Sequence, residues 1–216
     1  MHSNKPIFFP GLNGLRALAA ISVVIFHLTR DFAEFNLDPY IFGTLSDGSP
    51  KGFAMAGFGV TIFFALSGFL ITYLLLAEKQ KQEIGIRKFY FRRILRIWPL
   101  YYLYLAVAVA VIFYYSMPFN GTMLLTYIFF AANIPHITDT PLPFLRHYWS
   151  LGVEEQYYLF WPWVVKKIKN NLVHFVIGFV SVFIVLKVGF HFLYPRSILA
   201  ACFDVIRFDC MLIGSL

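Results

Sequence analysis

The sequence predicts an all-α protein, a polytopic bundle of transmembrane helices. Three observations carry that reading. Several apolar runs reach the ~20 residues that a helix needs to cross a bilayer core. Only 13% of the residues are charged, against about 25% in an ordinary soluble domain. The basic residues are also placed as membrane flanks: of 18 Lys and Arg, seven fall between Lys79 and Arg96 and three between Lys166 and Lys169. Such clusters obey the positive-inside rule and meet anionic lipid, so the net charge of +7 does not point to nucleic acid.

The elements follow in order. A first span covers about residues 12–29 and leaves the cytoplasm. Asp31, Glu34, Asp38 and Asp47 against a single Lys51 then mark an external loop. A second span, about 53–77, returns to the basic segment "EKQKQEIGIRKFYFRRILR". The third, about 97–117, goes out again and stops before Pro118. The run 122–134 is too short to cross, and a full crossing there would put "KKIK" at 166–169 outside. It is expected as a re-entrant helix, which needs protein around it. Spans near 148–165 and 172–194 follow, and another begins near Ser197. The whole reads as one membrane-embedded domain with a cytoplasmic N-terminus, retained as an anchor because Arg16 interrupts the first run and no small-residue cleavage site follows. Cys202 and Cys210, eight residues apart in one apolar segment, cannot pair within a helix and are expected to pack. No metal-ligand spacing is present.

Three polar groups stand out inside these spans, where ionisable side chains are costly. In "RALAAISVVIFH", Arg16 and His27 are eleven residues apart, about three helical turns, so they share one face roughly 16 Å apart. In "FYFRRILRIWPLYY", Arg93 and Arg96 are neighbours on a helix face with Arg92 alongside. Several guanidiniums suit phosphorylated ligands, since each fork meets two phosphate oxygens, although basic and aromatic residues also make an ordinary interfacial anchor. In "HYWSLGVEEQYYLFWP", Glu154 shares a face with both Ser150 and Tyr158. Ser150 fits a helix cap, which leaves two adjacent glutamates unexplained. Lys187 and His191, also four apart, read as structural or snorkelling groups near an outer helix end.

Together, "LNGLRALAAISVVIFH", "GVTIFFALSGFLITYLL", "FYFRRILRIWPLYYLY" and "HYWSLGVEEQYYLFWP" resemble, in order and wording, the acyltransferase 3 family of integral-membrane O-acyltransferases. "RFDCMLIGSL" resembles that family's next block, with Arg207 and Asp209 at its polar positions. The resemblance implies a bundle of about ten helices, of which this chain is the front part. It implies His27 as the catalytic residue with Arg16 as its partner, and Arg93 and Arg96 as holders of the acyl donor. Glu154 and Tyr158 match the "WSL–VE" block, where Tyr157 stands in place of the usual phenylalanine.

The activity so implied moves an acyl group, most simply acetyl, from cytoplasmic acyl-CoA to a hydroxyl of a surface carbohydrate or lipid-linked carbohydrate. Acyl-CoA is then a co-substrate, and no bound cofactor is expected. His27 is general base or transient acyl carrier, oriented by Glu154 if the helices bring the two together. Two other readings stay open on the residues alone. The same polar groups suit a transporter or flippase for a lipid-linked sugar, and a non-catalytic membrane scaffold would tolerate loss of His27.

Overall fold

The computed structural model describes residues 9, 11–34, 36–168 and 170–216, apart from the side chains of residues 31, 34 and 56. Lys169 and the side chains of Asp31 and Glu34, on which part of the charge map rests, lie outside the described residues. These contain helices α1 (Leu12–Glu34), α2 (Lys51–Lys79), α3 (Ile86–Tyr114), α4 (Gly121–Ile128), α5 (Asn133–Ile137), α6 (Tyr148–Lys167), α7 (Leu172–Leu193), α8 (Ile198–Ile206) and α9 (Phe208–Gly214), with no strand among them. The fold is all-α, as the sequence predicts. Among the described residues four helices are long and apolar enough to cross a membrane: Leu12–Arg30, Lys51–Lys79, Ile86–Tyr114 and Leu172–Leu193.

Three boundaries differ from expectation. Helix α3 starts at Ile86 rather than near 97, because the basic stretch before Trp98 is itself helical; Arg and Lys are good helix formers. The short run at 122–134 is divided into α4 and α5, with Phe130 in the left-handed region (φ 56°) between them. The run beginning at Ser197 is broken at Arg207, also left-handed (φ 47°), into α8 and α9. Ser197 does cap α8, accepting the Ala200 amide at 3.2 Å. By contrast α6 spans the expected residues but is not among the four membrane-capable helices. Glu154, Glu155 and Gln156 lower its apolarity, and its buried Tyr148, Val153, Tyr157 and Trp161 show that protein surrounds it.

The chain packs as two units that divide inside α2, between Ser67 and Gly68. In the first, α1 and the front of α2 approach closely through small residues. A Cβ on Gly59 would lie 2.7 Å from the Ala19 carbonyl oxygen, and one on Gly52 would collide with the Thr29 side chain. Ser22 and Thr29, both buried at this seam, return their hydroxyls to the Leu18 and Ile25 carbonyls (2.9 and 2.8 Å). Both hydroxyls are thus satisfied within their own helix, as an apolar surround requires. The intervening loop is pinned by Asp47, which accepts from the amide and hydroxyl of Ser49. Those bonds hold its carboxyl below the usual range.

In the second unit α3 and α6 run antiparallel, joined along their length by Tyr90 to Leu159, Arg93 to Tyr158 and Tyr148 to Tyr101. The break between α4 and α5 packs into them. Tyr101 and Tyr102 donate to the Tyr127 and Ile128 carbonyls (2.7 and 2.8 Å). Gln156 donates to the Phe130 carbonyl and to Asn133 (3.0 and 2.8 Å). Carbonyls released where α4 stops are therefore taken up by side chains of α3 and α6. On its other side α6 meets α2 and the end of α9. The Trp161 indole donates to Thr72 (2.7 Å), Thr72 to Ser215 (2.9 Å), and Tyr157 shares a hydrogen bond with Ser215 (2.9 Å).

The two basic segments meet at one end of this unit. Lys79 donates to the Val165 and Ile168 carbonyls, both at 2.6 Å, closing the C-terminus of α6. Lys166 pairs with Glu83 at 2.7 Å, a contact that lowers the Glu83 carboxyl's pKa.

Candidate active site

Two groups of polar residues occupy the two units. In the first, α1 carries Arg16 and His27, both half-buried and on one face as their spacing dictates. The His27 ring meets Phe26 edge-on, with centroids 5.2 Å apart. Arg30 follows His27 by three residues and is also half-buried. The stripe is therefore Arg16, His27, Arg30, and the sequence reading missed its third member. The signal was present in "HLTR", where a three-residue step keeps the same face.

In the second unit the α3–α6 pairing assembles the other group. Arg93 projects inward from α3, and its guanidinium lies over the Tyr158 ring at 4.7 Å and near Phe89 at 5.7 Å. Tyr158 reaches Glu154, one turn earlier in α6, through a long 3.4 Å bond to Oε2. Both Glu154 and Glu155 lie within electrostatic reach of Arg93. The structure thus unites Glu154 and Tyr158, as their spacing suggested, with Arg93, which no spacing tied to them, and adds Glu155. Trp98 sits beside Glu155, yet neither Trp98 Nε1 nor Glu155 Oε1 completes a hydrogen bond among the described residues. Two adjacent positions on α6 point about 100° apart, so sequence spacing separated Glu155 from its neighbour; only the crossing of α3 brings both carboxyls to one guanidinium.

The remaining candidates distribute around this cluster. Arg96 is exposed but close enough to act on Arg93. Arg92 turns outward and pairs with Glu78 at 3.2 Å. Ser150 is not the cap of α6: His147 holds that position, and Ser150 donates back to its carbonyl at 3.2 Å. The capping expectation fails because the helix begins two residues before Ser150, at Tyr148. Arg207 and Asp209 flank Phe208, whose ring packs on Tyr157 and Phe160 (5.9 and 5.4 Å). Their junction therefore lies alongside the same stretch of α6. Lys187 is paired across to Asp204 at 3.6 Å, and His191 is exposed near the end of α7. Cys202 and Cys210 are both free thiols, half-buried.

Chemically, the second group is a cation packed between an aromatic face and two carboxyls. A guanidinium so placed has its plane held by the ring and its charge faced by the two carboxyls. The first group adds an imidazole, the side chain best matched to proton transfer near neutral pH.

An acyltransferase-domain family model matches residues 9–198. The chain is 33% identical over 171 residues to peptidoglycan O-acetyltransferase OatA of Listeria monocytogenes, covering 72% of this chain and 24% of that protein. It is 30% identical over 181 residues to O-acetyltransferase OatA of Staphylococcus aureus, covering 74% and 25%. The chain thus spans about a quarter of the length of these relatives. No solved structure matches it significantly. With four ordered sequence blocks and most of its length inside one family model, the chain belongs to the acyltransferase 3 family.

Proposed function

We propose that this chain is the donor- and base-bearing part of a membrane O-acetyltransferase that acts on a cell-envelope carbohydrate, peptidoglycan being the acceptor class its relatives' names suggest. The observation that carries the reading is Arg93, an arginine turned into the bundle beside the basic end and held by Tyr158, Glu154 and Glu155. An ordinary interfacial anchor points its cation to headgroups, whereas this one points to the interior.

The roles follow from chemistry. Acyl-CoA approaches the basic end, on the cytoplasmic side by the charge rule, and Arg93 with Arg96 binds its phosphates. The acceptor hydroxyl attacks the thioester carbonyl while His27 takes its proton. The carbon–sulfur bond then breaks, and the departing thiolate of coenzyme A is protonated. Arg16, on the same face but about 16 Å from His27, lies toward the inner mouth, where its charge meets the incoming donor. The segment 121–137 re-enters without crossing, and the chain is multi-pass with its N-terminus inside.

Purified full-length protein in proteoliposomes, given acetyl-labelled acetyl-CoA and a peptidoglycan oligosaccharide, should move label to the sugar. Arg93→Ala should raise the acetyl-CoA KM about 10- to 100-fold, the loss of one charge-assisted contact. Movement of the sugar across the bilayer without acetyl-CoA, and no label transfer, would establish a transporter instead.

A further inference from the structure

The arginine cluster of α3 is split between two faces of the helix, and only one belongs to the site above. Phe89 and Arg93 face the interior, with Tyr101, Leu105, Ala108 and Ile112 continuing that buried side. Rotated from Arg93 by about 100–160° around the helix, Arg87, Lys88, Phe91 and Arg92 line an open groove of about 440 Å³. The Arg87 guanidinium lies 5.9 Å from the Phe91 ring, and Glu78 fixes Arg92 from below while also accepting the Gly85 amide at 2.9 Å. Arg87 and Arg92 thus each have a contact on the protein, while Lys88 is exposed beside them.

The same face continues down the helix as exposed apolar surface. Leu95 is 73% and Leu103 61% exposed, with Pro99 exposed between them. Leu103 lies about 16 Å beyond Arg92 along the axis, roughly the depth of one leaflet. A ligand matched to this surface carries a negative head and an apolar tail of leaflet length.

We propose that this groove is a binding site for one anionic phospholipid. Its phosphate sits among Arg87, Lys88 and Arg92, its glycerol lies against Phe91, and an acyl chain runs along Leu95, Pro99 and Leu103. Charge complementarity selects this occupant. A second copy of the chain meeting the same face symmetrically brings like charges together. Acetyl-CoA has the phosphates but no tail for the apolar stripe. The site rests on α3 being a membrane span and is independent of which acceptor the enzyme uses.

The test is lipid binding by the full-length protein in detergent, followed by native mass spectrometry with phosphatidylglycerol or phosphatidylcholine. A basic residue near an anionic headgroup is worth about fivefold in affinity. The double variant Arg87→Gln/Lys88→Gln should therefore bind phosphatidylglycerol about 25-fold more weakly. Lys81→Gln/Lys167→Gln, which removes the same charge from exposed positions outside the groove, should stay within about threefold. Both variants should still bind acetyl-CoA, which also reports that they fold. Equal losses in the two variants would overturn the site in favour of diffuse attraction. Displacement of phosphatidylglycerol by acetyl-CoA would overturn it in favour of a donor subsite.

Discussion

Tyr158 presents two surfaces to its neighbours, a ring to Arg93 at 4.7 Å and a hydroxyl to Glu154 at 3.4 Å. Their strengths differ. A cation over a desolvated aromatic face is worth about 2 kcal/mol, whereas an O–H···O contact at that length lies well beyond the usual optimum. The ring is therefore the part that holds Arg93 in place. Tyr158→Phe should leave the acetyl-CoA KM of the full-length enzyme within about threefold, while Tyr158→Leu should raise it about 10- to 30-fold. Equal damage from both substitutions in steady-state kinetics would shift the role to the hydroxyl. At this scale the sequence revealed the members of the cluster by their i, i+4 spacing but not their partner. Nothing local in "YFRRILR" distinguishes inward Arg93 from outward Arg92, because that difference is made by where α6 crosses.

Helices α1 and α2 meet through glycine and small hydroxyl residues, so their contact is governed by steric fit. Lipid tails are as apolar as leucine, and helix pairs in membranes rely on close approach rather than on hydrophobic exclusion. A Cβ on Gly59 would intrude to 2.7 Å from a backbone oxygen, which cannot swing aside, whereas a Cβ on Gly57 meets nothing within 4 Å. Gly59→Ala should cost roughly 1–3 kcal/mol by overpacking, read as a lowered thermal unfolding midpoint of the full-length protein. Gly57→Ala should be neutral or slightly stabilising, since alanine favours the helix. A lowered midpoint for Gly57→Ala alone would contradict this seam. Helices α1, α2 and α7 were legible because length and apolarity alone define a span. The start of α3 was not, because a basic, helical interface segment reads as a flank. The α4–α5 break was hidden too, since the carbonyls it frees are satisfied by Tyr101, Tyr102 and Gln156 from distant parts of the chain.

Across the whole molecule, the basic residues that define one end of the second unit are tied together by Lys79 on the end of α6 and by the Lys166–Glu83 pair. Arg93 lies about 1–2 turns in from that end along α3. The family blocks made much of this candidate site readable in advance, since polar residues inside spans are few and their cost makes them conspicuous. Arg30 escaped because it stands beside the more prominent His27, and Glu155, noted only as one of two adjacent glutamates, received no role of its own. The central claim concerns His27. If it is the base, an amide in its place keeps hydrogen bonding but cannot take up the acceptor's proton, and loss of general-base catalysis costs about 10²–10⁴ in rate. The most direct test is the rate of acetyl transfer by full-length His27→Gln, with His191→Ala, exposed on α7, as the control. The account predicts normal membrane levels for both, at least a ~100-fold lower rate for His27→Gln and an unchanged rate for His191→Ala. Near-normal transfer by His27→Gln would contradict it and pass the role of base to another group, with Glu154 the first to examine.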